Sequence, residues 1–418
     1  MSQATFRESL ALLRTRRFGT FWFASLLSSI GTWAQQVAQP WLLLTLGATP
    51  TLVGLDAFAM SAPVWLLTLP GGILADRADR RRVIAGFQSI QMLCPLVIVG
   101  LLLAGTIQPW MIVLLSVVVG ITDALSMPSF ASIVPSIVER SQIGTGIALN
   151  ATQFNLSRIA GPALAGVLMA GVGAIGCFVA SAISYLPFIG IALWALPRGR
   201  PVLAPGDRFD LRHPFGGART ILGDPYLRGA LLTALFTNLL CGSLVTFSPV
   251  LVREAWHGSA GQFSVVVAAF GAGGLLGAIA LLGVDARRDR RRLASRAAAV
   301  LGLLLAAISF VPWFDAMVGL MVAAGASMVV ANTSANTLVQ SGATEALRGQ
   351  AVSLFMLVMR GGIALGGLAT GLCATHFGIR GTLLADGLLA LAAQALVARA
   401  WGRAPAPSLA PASAPLPT

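Results

Sequence analysis

Apolar runs alternate with short polar breaks along almost the whole chain. They fall near 18–46, 51–75, 83–104, 109–134, 142–171 and 173–196, then near 225–252, 259–284, 293–312, 316–342, 347–373 and 377–401. Each is long enough for a helix to cross a bilayer, which takes about 20 apolar residues. The longest interior break, 197–224, holds Pro197, Pro201, Pro205, Asp207, Asp210 and Pro214 and divides six runs from six. The pattern predicts an all-α polytopic membrane protein with twelve transmembrane helices in two pseudo-symmetric six-helix bundles. Residues 1–17 read as a cytosolic amphipathic segment, 18–196 as the N-terminal bundle and 197–224 as a cytosolic linker. Residues 225–402 read as the C-terminal bundle and 403–418 as a disordered tail rich in proline and alanine.

Composition sharpens this picture. The chain is 56% hydrophobic and 10% charged, with a mean hydropathy of +0.82. Soluble domains carry about 25% charge. All 28 basic residues are arginine, and 15 acidic residues leave a net charge of +13. Without lysine there is no Gly-Lys-Ser/Thr phosphate loop and no Schiff-base lysine. An ion gradient, expected to be protonic, is then the plausible energy source, and no bound cofactor is expected. Arg158 and Arg360 lie deep within runs, and Arg253 and Arg380 at run ends on one side. Every other arginine falls at the termini, in the breaks of the opposite side, or within four residues of a run end there. The positive-inside rule places that arginine-rich side, with both termini, in the cytosol of a cell whose inner membrane holds the protein. The charge surplus is a topology signal and implies no nucleic-acid partner.

Cys94, Cys177, Cys241 and Cys373 each sit in an apolar run and are expected to be buried thiols. Three histidines make no histidine-rich metal site. Phe6, Leu10 and Leu13 share one face of a possible helix beside arginines, predicting a short helix on the membrane surface.

The two halves repeat. Asp79-Arg80-Arg81-Arg82 before the third run recurs as Asp289-Arg290-Arg291-Arg292 before the ninth. Arg158 and Gly161 to Gly166 in the fifth are echoed by Arg360 and Gly362 to Gly367 in the eleventh. Parallel repeats of half the chain are a sign of paired bundles that rock about a midplane site.

These residues reach a known family. Gly72-Ile73-Leu74-Ala75-Asp76-Arg77-Ala78-Asp79-Arg80-Arg81-Arg82 resembles the loop between spans 2 and 3 of the major facilitator superfamily. Ser157-Arg158-Ile159-Ala160-Gly161-Pro162-Ala163-Leu164-Ala165-Gly166 resembles the span 5 motif of its exporter branch. With Met127-Pro128-Ser129 and Val134-Pro135, the chain is most similar to enterobactin-exporter-like and macrolide-efflux-like transporters, over about residues 15–401. Three departures stand out. Asp79 replaces a usual glycine, Ser157 and Ala165 replace span 5 glycines, and Ser116 stands where proton-coupled exporters carry a span 4 arginine.

The resemblance implies a conformational latch of Gly72, Asp76, Arg77 and Arg80, with Asp285 and Arg290 in the second half. Asp76 would face the start of span 11 in the outward-open state. The alternative is that these arginines only set topology and touch anionic lipid. Gly161, Pro162 and Gly166, Gly273 and Gly277, and Gly362 and Gly366 are read as packing positions. The family implies that spans 5 and 8, and 2 and 11, meet across the bundles.

Ionisable residues inside spans are costly and mark function. Asp123, Arg158, Arg360, Asp56 and Asp386 are the candidates for proton coupling. Asp123 ranks first; an alternative is a structural Asp123–Arg158 ion pair. Asp56, near an outer end, is expected at the interface. Polar and aromatic positions that would line a substrate cavity are Gln35, Gln36, Asn150, Gln153, Asn238, Asn332, Asn336, Trp33, Phe58 and Phe236. Such a mixed cavity suits a bulky amphipathic solute.

The leading functional reading is a secondary active exporter of hydrophobic or amphipathic small molecules, drug-like or siderophore-like, working as a monomer in the bilayer. Importer of a specific metabolite is the second reading. A membrane-embedded Mg²⁺-dependent transferase would need Asp76/Asp79 or Asp285/Asp289, which arginines surround. A channel would need a carbonyl filter or a charged ring, and neither pattern is present.

Overall fold

The computed structural model describes residues 3–131, 133–195, 217–284, 290–344 and 347–402. Among them lie sixteen α-helices and no strand. In the N-terminal half, α1 is Gln3–Leu13, α2 Arg16–Thr45, α3 Pro50–Arg77, α4 Arg80–Leu103 and α5 Pro109–Ala131. The short α6 (Ile133–Ile137) leads to α7 (Ile143–Gly171) and α8 (Ala174–Ala195). In the C-terminal half, the short α9 (Ala218–Gly223) precedes α10 (Pro225–Cys241) and α11 (Ser243–Trp256). Then come α12 (Ala260–Leu282), α13 (Arg291–Phe310), α14 (Phe314–Gly342), α15 (Arg348–Phe377) and α16 (Ile379–Gly402).

Ten stretches of these helices are long and apolar enough to cross a membrane. Helices α2 and α7 are not among the ten, although they run for 30 and 29 residues. Both carry polar residues inside their length: Gln35, Gln36 and Gln39 in α2, and Asn150, Gln153 and Arg158 in α7. The seventh run is broken at Gly242 into α10 and α11 and extends to Trp256, past the expected end near 252. The linker forms the helix α9 at its end, and the expected tail 403–418 lies outside the described residues.

Local chemistry sets the helix ends. Asp79, the departure from glycine in the loop motif, accepts a hydrogen bond from the Arg81 amide at 3.0 Å and caps α4. Asp224 caps α10 through the Tyr226 amide at 2.7 Å, and Ser259 and Gln262 form a reciprocal capping box on α12. Gly47, Gly105, Gly173 and Gly378 all have positive φ. They sit in the turns after α2, α4, α7 and α15, on one face of the molecule, where left-handed backbone lets helices reverse in few residues.

The helices build two bundles that touch through α3 with α15 and α7 with α12, the pairing that the family resemblance implies. The apolar core differs between the two faces. Where α3 starts and α15 ends, one cluster runs through both bundles, with Leu43, Val53, Ile112 and Phe178 from the first half and Phe247, Phe263, Met321 and Ala374 from the second. At the face that carries the starts of α2 and α10, each half has its own cluster. Leu12, Phe18, Ile84 and Phe188 form one; Tyr226, Phe355, Val397 and Trp401 form the other. Among the described residues, the apolar core is therefore shared between the bundles at one face and divided between them at the other.

Helix α1 is present as expected, but its buried anchor is Leu12 (2% exposed), whereas Leu10 is 40% exposed. Cys94, Cys177 and Cys241 are buried; Cys373 is exposed, against expectation, because it lies on a face of α15 that no other described helix covers.

Candidate functional site

Arg360 of α15 and Asp123 of α5 form an ion pair across the bundle interface, Nη1 to Oδ2 at 3.5 Å. Their side chains are 35% and 50% exposed. The alternative reading from sequence paired Asp123 with Arg158 of the same bundle. The structure gives Arg360 instead, because Arg158 turns away onto Trp33, its guanidinium carbon 5.5 Å from the ring centre. Trp33 in turn meets Phe154 edge-on.

The phase of α7 explains where Arg158 points. At 100° per residue, Gly161 lies about 60° to one side of Arg158 and Gly166 about 80° to the other. Gly161 packs on Trp33 and Ile30 of α2, and Gly166 on Ser264 of α12. Arg158 thus faces the wedge between α2 of its own bundle and α12 of the other.

Asp56 sits elsewhere, inside the N-terminal bundle, and is buried at 6% exposure rather than interfacial. Ser116 Oγ donates to Asp56 Oδ1 at 2.6 Å, and Gln39 Nε2 donates to Asp56 Oδ2 at 2.8 Å. Gln39 also donates to Ser116 Oγ at 2.8 Å. The residue replacing the span 4 arginine is therefore a hydrogen-bond donor to a buried carboxylate. The network continues along α2: Gln35 reaches Gln39 at 3.5 Å, Ser181 donates to Gln35 at 2.7 Å, and Thr32 meets Tyr185 at 3.1 Å. Beside it lies a cavity of about 20 Å³ lined by Gln35, Gln36, Gln39, Gln91, Ser116 and Tyr185, enough for one water molecule.

Other polar candidates are spoken for within their own bundle. Gln153 donates to Ser29 at 2.9 Å and accepts from Ser25 at 3.4 Å. Asn238 donates to Asn332 at 2.7 Å, and Gln340 to Asn336 at 3.1 Å. Thr370 donates to Asp386 at 2.9 Å, tying α15 to α16. Phe58 packs edge-on to Trp65, and Phe236 against the C-terminal cluster. Asn150 is half-buried. Asp123 and Arg360 meet across the bundle interface, and Arg158 lies against Trp33.

The glycines divide by partner. Gly273 and Gly277 of α12 pack on Val322 and Ala326 of α14, while the α7–α12 contact runs through Gly166 on Ser264. Gly362 and Gly366 pack on Leu239 of α10, while Gly371 approaches Gly54 of α3. Pro162 lies inside α7 without ending it. Of the latch candidates, Gly72, Asp76, Arg77, Arg80 and Asp285 lie outside the described residues and side chains. Arg290 donates to the Val284 carbonyl at 3.4 Å.

Sequence reasoning missed the closure of the far face. Thr51 and Thr375 share a hydrogen bond of 2.8 Å, the Thr51 amide donates to Thr375 Oγ1 at 3.1 Å, and Trp41 stacks on Phe263 with centroids 5.5 Å apart. Threonines at helix ends carry no signal of this. Gln39 and Ser116 were findable: Gln39 extends the Ser28, Thr32, Gln35 stripe along one face of α2.

Two bundles of apolar helices, joined at one face and parted at the other around a charged seam, define a transporter of the major facilitator class. The profile of the transmembrane secretion effector family matches residues 7–409, and the chain belongs to that family. The chain is 25% identical to the staphyloferrin A transporter of Staphylococcus aureus, over 86% of this chain and 90% of that one. It is 26% identical to the enterobactin exporter EntS of Citrobacter koseri, over 67% of this chain and 66% of the relative. Among solved structures, the nucleoside transporter NupG superposes over 93% of this chain and 98% of its own, with a TM-score of 0.69 and 13% identity. A bacterial homologue of the lysosomal transporter Spinster does so over 95% and 99%, with a TM-score of 0.69 and 18% identity. These structures share the fold. The relatives are transporters, not enzymes, and this protein is a multi-pass membrane transporter of small molecules.

Proposed function

We propose that the protein exports amphipathic small molecules from the cytosol by rocking its two bundles, with protons moving inward in exchange. The carrying observation is the asymmetric core: one cluster shared by both bundles at one face, two separate clusters at the other. The parted face carries the arginine-rich breaks, which the positive-inside rule assigns to the cytosol. A state parted there is the one in which an exporter loads. The export direction draws on the family's description as secretion effectors and on the enterobactin exporters among its relatives.

Alternating access then needs the shared cluster to separate and the parted face to close. The Asp123–Arg360 pair stands at the junction. Its carboxylate is half-exposed, and loss of its attraction to Arg360 would free the bundles to move. Asp76 completes the reading as a latch at the cytosolic end of span 2. Asp76→Ala is expected to lower transport at unchanged membrane abundance.

Inside-out membrane vesicles test direction and coupling together. With an acid lumen they are expected to accumulate hydrophobic fluorescent test compounds, and collapse of the pH gradient is expected to stop it. Uptake only into right-side-out vesicles would reverse the direction; accumulation indifferent to pH would remove the proton.

A further inference from the structure

Arg158 is a charge without an ionic partner among the described residues. It lies 15 residues into α7, about 22 Å from that helix's start at 1.5 Å per residue, and so near the middle of the span. Among the described residues no carboxylate comes within ion-pairing distance of it and no side chain or carbonyl accepts a hydrogen bond from it. Among the described residues, the Trp33 ring is the group its guanidinium lies against. A guanidinium at such depth is expensive unless something anionic or watery meets it. The helix phase aims it into the wedge between α2 and α12, where the two bundles face each other.

Arg360, about 18 Å from the start of α15 by the same rise, reaches across the bundle interface to Asp123. Its bond to Asp123 is single and 3.5 Å long, well beyond the roughly 2.8 Å of a good charge-assisted contact. Both residues of the pair are partly exposed, so the contact can be exchanged for another.

We infer that Arg158 and Arg360 form a binding site for the anionic oxygen groups of a substrate with an aromatic part, the ring packing on Trp33 and Phe154. Guanidinium forks pair with carboxylates and similar oxyanions in two-pronged geometry and also lie flat on aromatic faces, which suits both partners. Asp123 occupies Arg360 when no substrate does. An anionic substrate group displaces it, so loading the site breaks the one charged bridge between α5 and α15. This rests on the exporter reading above and adds to it the sign of the cargo.

The test uses the full chain in lipid nanodiscs and two dyes that share a fluorophore but differ in charge: dansyl-glutamate, anionic, and dansylcadaverine, cationic. Fluorescence polarisation is expected to show wild type favouring dansyl-glutamate at least tenfold. Arg158→Gln is expected to erase most of that preference, and Arg158→Lys to keep part of it. Asp123→Asn is expected to tighten dansyl-glutamate binding by freeing Arg360. Size-exclusion profile and melting temperature of each variant control for folding. Equal affinity of wild type for both dyes, or an anion-to-cation ratio in Arg158→Gln equal to that of wild type, overturns the anion site. Vesicle accumulation of dansylcadaverine without dansyl-glutamate overturns it too, while leaving export intact. Failure of all export in the vesicle assay strikes the exporter reading separately.

Discussion

Arg360 and Asp123 are 237 residues apart in sequence, and their 3.5 Å contact joins one bundle to the other. A half-exposed pair at that distance contributes on the order of 0–1 kcal/mol to stability. Its importance is in the state it favours. Arg360→Gln is expected to leave the melting temperature of purified protein within a few degrees of wild type while cutting transport severalfold. Asp123→Asn is expected to abolish the dependence of transport on the pH gradient. An Asp123→Asn protein that still exports and still responds to protons would remove Asp123 from coupling.

The buried carboxylate answers to a different measurement. Asp56 accepts hydrogen bonds from Gln39 and Ser116 and meets no cation among the described residues. Ser116→Ala leaves one carboxylate oxygen without its donor. Hydrogen bonds between membrane helices average about 0.6 kcal/mol, and up to about 1.7. A loss of that order in detergent unfolding is expected for Ser116→Ala. Unchanged stability would show that the Ser116 donor contributes nothing to the bundle.

Closure of the far face is testable by cross-linking. Thr51 and Thr375 hydroxyls lie 2.8 Å apart, so their Cβ atoms approach the roughly 3.8 Å separation a disulfide needs. In a background without the four natural cysteines, Thr51→Cys with Thr375→Cys is expected to oxidise readily. Transport is then expected to stop and to return on reduction. Full transport by the oxidised protein would mean that this face need not open.

Packing of α12 on α14 leaves no room for side chains at Gly273, Gly277 and Gly325. A Cβ at Gly325 would meet the Phe270 backbone, whereas one at Gly190 or Gly319 meets open space. Overpacking of this kind costs about 1–3 kcal/mol, or more where backbone must move. Gly325→Leu is expected to lower membrane yield and melting temperature sharply, and Gly190→Ala and Gly319→Ala to leave both unchanged.

Much of this architecture is a local property of the chain. A span is recognised by the length of an apolar run, a helix end by its own cap or glycine, and a face by the arginines in its breaks. Each can be read within some twenty residues. That is why the helices, the division into two halves and the family were legible, and why Asp79 could be seen to depart from the usual glycine before its capping bond was known.

Partnership is not local. Whether Asp123 faces Arg158 or Arg360, whether Asp56 meets lipid headgroups or Gln39, and whether Gly273 meets α7 or α14 depend on how far each helix is rotated about its axis. A turn of 100° per residue moves a side chain from one neighbour to the next, and the apolar run that defines a span is nearly silent about that angle. Helix phase is fixed only when all the helices pack together. Tertiary structure therefore decided the charge pairs, the buried network and the closed face, and left Arg158 aimed between the bundles.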